Sequence, residues 1–430
     1  MLIKEKVTQA EGLLREFGID CWITFTRESA LNGDPMLPFL VPADLTWHSA
    51  LIVSTTGGAI AVVGQYDRKM VEDTAAYREV ISYVEGVKKP LQEVLRRLNP
   101  RTIALNFSRD SEIADGLTHG MYQTMTEILA EIGMEGRVVS SEPIVSALRQ
   151  RKTDTELRSI RAAIRQTEEI FASVRRFIRP GHTEEQIAAF MRREVVRRGL
   201  EFSWEPKVCP AVFSGPDTAA AHYNPTARKV EEGHILNMDF GVKVDGYCSD
   251  LQRTFYVLQR GEKRAPSDVQ KGFDTIVSSI EAARRAMRPG VQGVEIDRVS
   301  RAVLKHEGYD EFPHGLGHQV GRHAHDGTAL LGPAWEKYGR KPFQSLEERM
   351  VFTLEPRLTV PGKGVATVEN MVVITKDGAE FLSTPQTELW LVPAAGNRPR
   401  TRSTTRERTK SSSAAKGSKK PQKPSRARHQ

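Results

Sequence analysis

The sequence predicts a mixed α/β protein of the α+β class, and three observations lead to this prediction. Helical and strand patterns alternate through residues 1–148, which indicates a first α/β domain. Over residues 152–394 the pattern changes to two helices followed by a hairpin, and this unit occurs twice. Residues 397–430 are basic and lack apolar periodicity, which is typical of a disordered tail. Two domains and a tail are therefore expected.

The first domain is predicted from the order of its elements. An amphipathic helix over residues 3–17 ends at Gly18, and Thr56-Gly57-Gly58 separates two short apolar strands. The predicted strands cover about residues 20–26, 48–54, 58–64 and 102–106, and the further helices about residues 89–98 and 112–132. This domain shows no obvious cluster of catalytic residue types.

The second domain contains an internal repeat. Helices are predicted over about residues 154–178, 183–199, 266–287 and 293–307. Arg-Pro-Gly breaks the first helix pair at Gly181 and the second pair at Gly290, 109 residues later. Gly199 and Gly308, where the second helices end, have the same offset. Two such matches can arise by chance, and the alternative that they suggest is a duplicated α-α-β-β unit. A pseudo-twofold arrangement of that unit would set both hairpins over one cavity.

Asp239 and Asp250 flank the turn of the first predicted hairpin. Asp245-Gly246 is a strong signal for a two-residue turn. A turn centred there places Asp250 diagonally across from Asp239 on one sheet face, about 7–8 Å away. The other face of the first strand carries the apolar residues Leu236, Met238, Phe240 and Val242. The carboxylates are therefore expected to face a cleft rather than the core.

Glu355 and Glu369 repeat this arrangement in the second hairpin. The segment Pro361-Gly362-Lys363-Gly364 between them is typical of a turn. A hairpin centred near Gly362 would set the two glutamates opposite each other.

These four carboxylates and His318 form a donor set for two divalent cations. His318 lies in HGLGHQVGRHAHDG, whose glycines allow the backbone to approach a site closely. The alternative is two pairs of exposed strand carboxylates, but like charges opposed on a sheet repel each other, which favours a bound cation. Carboxylates with one imidazole suit Mn, Co, Fe or Zn.

Charge and composition limit the partners. The formal net charge is +8, but residues 398–430 contribute +11 and the rest of the chain −3. The tail is therefore expected to be solvated, with weak contact to nucleic acid or another polyanion as the lesser alternative. The chain has no run of about 20 apolar residues, and its charged N-terminus lacks a signal core. A cytoplasmic location without membrane contact is the expectation.

Residues 150–394 resemble the "pita-bread" metallopeptidases, which include prolidase, aminopeptidase P and methionine aminopeptidase. The segments that carry the resemblance, in order, are HYNPT, DFGVKVDGYCSDLQRTF, HGLGHQVG, TLEP and TVEN. The first domain is similar to the creatinase-like N-terminal domain of the prolidase and aminopeptidase P branch. The resemblance therefore implies a first domain over residues 1–148 and a pita-bread domain over residues 152–394.

The resemblance also implies roles for individual residues. Asp239, Asp250, His318, Glu355 and Glu369 match the five ligands of a dinuclear metal site, with Mn as the first choice and Co, Zn or Fe as alternatives. His222, His314 and His325 match the family's further catalytic histidines, and Glu355 the proton shuttle. The implied activity is hydrolysis of an N-terminal Xaa-Pro peptide bond in dipeptides or short peptides, by a hydroxide between the two ions. A homodimer is expected from the family.

Departures from the family pattern affect substrate recognition. Thr367 stands where that branch usually has arginine two residues before the last glutamate, and Arg357 replaces a glycine. Arg322 or Arg357 is therefore predicted to bind a substrate carboxylate in place of that arginine; the alternative is that both are surface residues. Two rival functions stay open: a creatinase-like hydrolase of a small C–N substrate, and a non-catalytic nucleic-acid- or ribosome-associated protein of the same fold.

Overall fold

A six-stranded mixed sheet organises the first 150 residues of the computed structural model, which describes residues 2–216 and 224–396. The helices are α1 (Leu2–Phe17), α2 (Ser29–Asn32), α3 (Leu37–Leu40), α4 (Arg68–Glu72), α5 (Lys88–Leu98), α6 (His119–Ala130), α7 (Glu142–Gln150), α8 (Asp154–Phe177), α9 (Glu184–Arg197), α10 (Ser267–Ala286) and α11 (Gly293–His306). The strands of the first region are β1 (Cys21–Thr26), β2 (Ser49–Ser54), β3 (Gly58–Gly64), β4 (Glu79–Tyr83), β5 (Ile103–Leu105) and β6 (Val138–Ser140).

The strands of the second region form smaller sheets and ribbons. They are β7 (Glu201–Phe202), β8 (Ala211–Ser214), β9 (Ile235–Phe240), β10 (Val242–Val244), β11 (Tyr247–Cys248), β12 (Leu251–Val257), β13 (Gly317–His318), β14 (Leu330–Leu331), β15 (Val351–Leu354), β16 (Arg357–Val360), β17 (Gly364–Thr367), β18 (Asn370–Thr375), β19 (Gly378–Phe381) and β20 (Trp390–Val392). The α/β class predicted from the sequence is confirmed.

The first sheet confirms the predicted strands and adds two. Its order is β4-β3-β2-β1-β5-β6, so the two strands that the sequence did not predict lie at its edges. β4 is only half-buried, and an edge strand therefore lacks the apolar pattern that reveals central strands. Helix α6 begins at His119 rather than near residue 112, because the Thr118 side chain caps it by accepting a hydrogen bond from the Met121 N–H.

The two helix pairs of the second region are broken by the same backbone conformation, as the sequence predicts. Gly181 and Gly290 have φ angles of 88° and 89°, a conformation that favours glycine. Their N–H groups donate to the carbonyls of Val230 and Leu346, both at 2.8 Å. Each helix pair packs into its own apolar cluster, α8 and α9 into one and α10 and α11 into the other, and strand residues of both hairpins enter both clusters. The duplicated α-α-β-β unit therefore exists in three dimensions.

The aspartate hairpin has the predicted register. β10 and β11 join through Asp245 and Gly246, whose φ angles are 50° and 76°. Both angles are positive, as a two-residue turn of this kind requires. Further along the ribbon β9 pairs with β12, and Asp239 lies opposite Gln252. Asp250 is two residues before Gln252, so it occupies the diagonal position that the sequence predicted.

The glutamate hairpin also has the predicted register. β16 pairs with β17 around Gly362, with Arg357 opposite Thr367. β15 pairs with β18, with Leu354 opposite Asn370. Glu355 and Glu369 lie between these two ladders and therefore face each other across the ribbon, although neither residue belongs to a strand.

Buried ion pairs connect the first 150 residues to the rest. Lys6 on α1 donates to Glu156 on α8 at 2.9 Å, and both side chains are fully buried. Arg149 at the end of α7 pairs with Asp326, and both are 1% exposed. Residues up to Ala395 form one compact unit, and the domain boundary near residue 148 stays a prediction from the sequence. Within the described ranges, no helix has the length and apolar character needed to cross a bilayer.

Candidate metal centre

The five predicted ligands lie around one cavity. Its volume is about 580 Å³. The members of this cluster, called the carboxylate–imidazole cluster below, are Asp239, Asp250, His318, Glu355 and Glu369. The two hairpins therefore do converge, as the repeat implies, and the imidazole joins them from a third segment.

The imidazole of His318 is the meeting point of the cluster. Its Nε2 lies 3.3 Å from Glu355 Oε1, 3.8 Å from Asp250 Oδ2 and 3.9 Å from Glu369 Oε1. One ligand atom each from Asp250, His318 and Glu369 lies within 4.8 Å of the other two. Asp239 lines the same cavity, and its charge acts on Asp250. A cation placed among these atoms would contact several of them at once.

Close backbone packing holds His318 in place. β13 pairs with β14, and the His318 N–H donates to the Thr353 hydroxyl at 3.1 Å. A Cβ at Gly317 would lie 2.0 Å from the Thr353 carbonyl oxygen, so only glycine allows this approach. The glycine before the histidine is thus a packing requirement of the site.

Burial and like charge disturb the protonation of the carboxylates. Burial, with the nearby charge of Glu355, raises the pKa of Asp239 to about 7. Burial and the neighbouring carboxylates also raise the pKa of Asp250 and of Glu369 well above their usual range. Burial opposes ionisation of Glu355 too, but the hydrogen bond from His318 and the charges of the three nearby histidines together outweigh it and lower the pKa of Glu355. The side chains of the protein alone do not neutralise the four carboxylate charges of this cluster.

The donor atoms of the cluster fit divalent cations. Asp239 Oδ1, Asp250 Oδ1 and Glu369 Oε2 are buried and accept no hydrogen bond from any described residue. A buried carboxylate oxygen without a partner is costly, and coordination to a metal removes that cost. Two divalent cations would also balance the four carboxylate charges.

Two further histidines lie at the same cavity. His314 and His325 both line it. The ring of His325 is edge-on to the ring of His318, with 4.1 Å between the centroids. The charges of both histidines favour the ionised form of Glu355. His222, the third histidine predicted from the sequence, lies outside the described residues.

A buried ion pair positions the segment that carries His325. Asp326 follows it directly and accepts from Arg149 Nε at 2.8 Å and Nη2 at 2.5 Å. Its other oxygen accepts from the Arg322 N–H at 2.6 Å. The loop from residue 321 to residue 327 is thus tied to the end of α7 from the first region.

The two arginines predicted to bind substrate occupy different places. Arg357 lines the cavity, is 7% exposed and lies 6.0 Å from the ring centroid of Phe213. Arg322 is not among the residues that line the cavity; its guanidinium lies 5.6 Å from the ring centroid of Phe39 and 5.4 Å from that of Tyr247. Its substrate role stays a prediction that this position does not support.

Sequence reasoning missed several residues of the site. Gln252 donates to Glu355 Oε2 at 3.2 Å and accepts from the Thr367 hydroxyl at 3.3 Å. Strand alternation would have revealed Gln252, because it is two residues after Asp250 and faces the same way. Glu112 and Lys341 also line the cavity, but they are 229 residues apart in sequence and have no local signal.

The fold and the carboxylate–imidazole cluster define a peptidase of the pita-bread class. The model of metallopeptidase family M24 matches residues 158–376, just over half of the chain, and the chain belongs to that family. The family uses divalent metal ions.

Individual relatives agree with this assignment. The chain is similar to the Xaa-Pro dipeptidase of Pyrococcus furiosus, with 28% identity over 249 residues, which are 58% of this chain and 67% of that protein. It is 31% identical over 259 residues to "Probable dipeptidase PepE" of Mycobacterium tuberculosis, with 60% of this chain and 64% of that protein covered. Its fold matches an Xaa-Pro dipeptidase structure from Bacillus anthracis with a TM-score of 0.70 and 22% identity, covering 91% of this chain and 100% of that one.

Proposed function

We propose that the protein is a dinuclear metallo-exopeptidase that hydrolyses N-terminal Xaa-Pro bonds in dipeptides or short peptides. One observation carries the proposal: buried carboxylate oxygens without hydrogen-bond partners surround one imidazole in a cavity of peptide size. The names of the relatives support peptide hydrolysis and, for the Pyrococcus protein, Xaa-Pro bonds.

The carboxylate–imidazole cluster would hold two divalent cations. Asp239, Asp250, His318, Glu355 and Glu369 are each proposed to offer ligand atoms to these ions. When bound, the two cations would supply a nucleophilic water at neutral pH and polarise the scissile carbonyl. Mn is the first choice for the native metal, with Co, Zn and Fe as alternatives, because carboxylate ligands with one imidazole suit these ions.

Glu355 is proposed to accept the proton of the attacking water and to pass it to the leaving nitrogen. Its carboxylate is held from two sides, since Gln252 donates to Oε2 at 3.2 Å and the Thr353 hydroxyl to Oε1 at 3.3 Å. Its lowered pKa keeps it ionised and ready to take a proton.

The histidines are proposed to stabilise the oxyanion and to orient the substrate. His325 and His314 line the cavity and can donate a ring N–H to a developing negative charge. His222 is proposed to share this role from outside the described residues. Arg357 is proposed to contact the substrate from the wall beside Phe213. Phe213 and Trp204 both line the cavity, and their rings are proposed to offer an apolar surface to the proline ring.

The proposal extends to the setting of the enzyme. We expect a cytoplasmic homodimer. The basic tail over residues 397–430, which lies outside the described residues, is proposed to contact polyanions only weakly.

Reconstitution with metals tests the proposed function. The chelator-treated protein is loaded with Mn, Co, Zn or Fe; bound metal is counted by mass spectrometry, and cleavage of Xaa-Pro and Xaa-Ala peptides is measured. We expect about two ions per chain, cleavage that depends on them and a preference for Xaa-Pro. Glu355→Gln should abolish cleavage, whereas the exposed control Glu348→Gln should not. Metal binding without cleavage of any peptide would contradict the proposal and favour a different hydrolase, and no bound metal at all would favour the non-catalytic alternative.

A further inference from the structure

Three charged residues line the solvent-exposed part of the cavity. Lys337 and Lys341 lie on two short 3-10 turns, Glu336–Tyr338 and Lys341–Phe343. Glu112 lies on the segment between β5 and α6 of the first region. Lys341 Nζ lies 3.1 Å and 3.5 Å from the two carboxylate oxygens of Glu112. Glu112 of the first region thus forms an ion pair with Lys341, which lines the candidate site.

Lys337 has no acidic partner among the described residues. Its ammonium lies 4.8 Å and 5.0 Å from the ring centroids of Trp335 and Tyr338, and it donates to the Pro313 carbonyl at 3.4 Å. The Tyr338 hydroxyl accepts from the Gly315 N–H at 3.0 Å. The turn that carries this lysine is therefore fixed to the segment that carries His314.

The other charged groups of the cavity already have partners, so Lys337 and Lys341 are the cations that an anionic ligand would contact. The cluster carboxylates match the proposed cations, and Asp326 is paired with Arg149. The inner wall near Glu369 is neutral, since Thr367 and Gln252 hydrogen-bond to each other. Arg357 is 7% exposed and already interacts with other groups of the protein. A short peptide that reaches the metal centre brings one anion with it, its own terminal carboxylate.

We propose that Lys341, assisted by Lys337, binds the C-terminal carboxylate of the substrate, and that Glu112 competes with the substrate for Lys341. The site then selects short peptides with a free C-terminus; this inference rests on the proposed function. Lys341 and Glu112 are 37% and 71% exposed. An ion pair so exposed stabilises by a factor of about five at most, so a substrate carboxylate can displace Glu112 readily.

Paired substrates and opposite variants test the inference. KM is measured with an Xaa-Pro dipeptide and with its C-terminal amide, at one fixed metal loading. For the free acid, Lys341→Gln should raise KM by about fivefold and Glu112→Gln should lower it by about two- to fivefold. For the amide, both variants should leave KM within about twofold of the wild-type value. Lys341→Arg should retain most of the preference for the acid, and Lys263→Gln, an exposed control, should change neither substrate.

Each outcome decides one claim. Equal shifts for acid and amide, or shifts of the same sign in Lys341→Gln and Glu112→Gln, would overturn the carboxylate role of Lys341. Loss of the acid preference in Arg357→Gln but not in Lys341→Gln would transfer that role to Arg357. If the metal-loaded wild type cleaves neither peptide, the proposed function itself fails and takes this inference with it.

Discussion

Replacement of Arg149 by methionine should destabilise the protein and slow the reaction, although Arg149 does not line the cavity. Its guanidinium donates twice to Asp326 and once to the Pro35 carbonyl at 2.7 Å, and it lies 5.2 Å from the ring centroid of Phe39. Both partners of the ion pair are 1% exposed. Arg149→Met would therefore remove the hydrogen-bonded cation of a buried carboxylate and leave the charge of Lys152 as the main one acting on it; breaking a buried ion pair in this way costs about 3–5 kcal/mol.

The assay is urea-induced unfolding at a fixed, saturating metal concentration. A double-mutant cycle with Asp326→Asn should show a coupling energy of about 2 kcal/mol or more, because the double variant no longer buries an unpaired charge. The kcat of Arg149→Met should also fall, since Asp326 anchors the loop of His325. Arg197→Met removes the exposed pair with Glu194 and should cost less than about 1 kcal/mol. An Arg149→Met variant within 1 kcal/mol of the wild type, or fully additive single variants, would refute this reasoning.

Three further predictions concern pH, positioning and the turn. The pKa of Asp239 is raised to about 7 in the folded metal-free protein, so this protein should lose stability as the pH rises from about 4 to 7. Thermal unfolding should show that loss, and added Mn should remove it. A melting temperature that does not change with pH would contradict the charge argument. Gln252→Ala removes a hydrogen bond to Glu355, which should lower kcat about tenfold or more while the metal content stays unchanged. Loss of metal from this variant would instead indicate a structural role for Gln252. Gln270→Ala is the control. Gly246→Ala should cost about 1–2 kcal/mol in urea unfolding because φ is 76°, and an effect no larger than that of Gly136→Ala would contradict the assigned turn.

Local sequence determined the hairpins and therefore most of the candidate site. Asp245-Gly246 fixes a turn, the turn fixes the register, and the register places Asp250 diagonal to Asp239. The same logic sets Glu355 opposite Glu369. His318 lies in a separate segment with only two strand residues, so its place beside the hairpins was predicted from its glycine-rich context and from the family resemblance, and not from a strand register.

Contacts between distant segments could not be predicted from the sequence. Arg149 and Asp326 are 177 residues apart, and the pair depends on how α7 packs against the second region. Glu112 lies in a segment predicted as helix that is irregular in the structure. The edge strand β4 was missed because half of its surface remains in contact with water, so its residues need not alternate. In each case the tertiary environment, and not the local pattern, decides the outcome.

The pairing of β16 with β17 limits how the exposed bend around Gly362 can change in length. Side chains alternate along both strands, and Glu369 follows β17 by two residues. A slip of one residue in this pairing would turn Glu369 away from Glu355, whereas a slip of two residues would restore its direction. Insertions at the exposed bend should therefore be tolerated only where the extra residues stay in the turn, so a surface segment that touches no substrate must still preserve the strand register that the chemistry at its base requires.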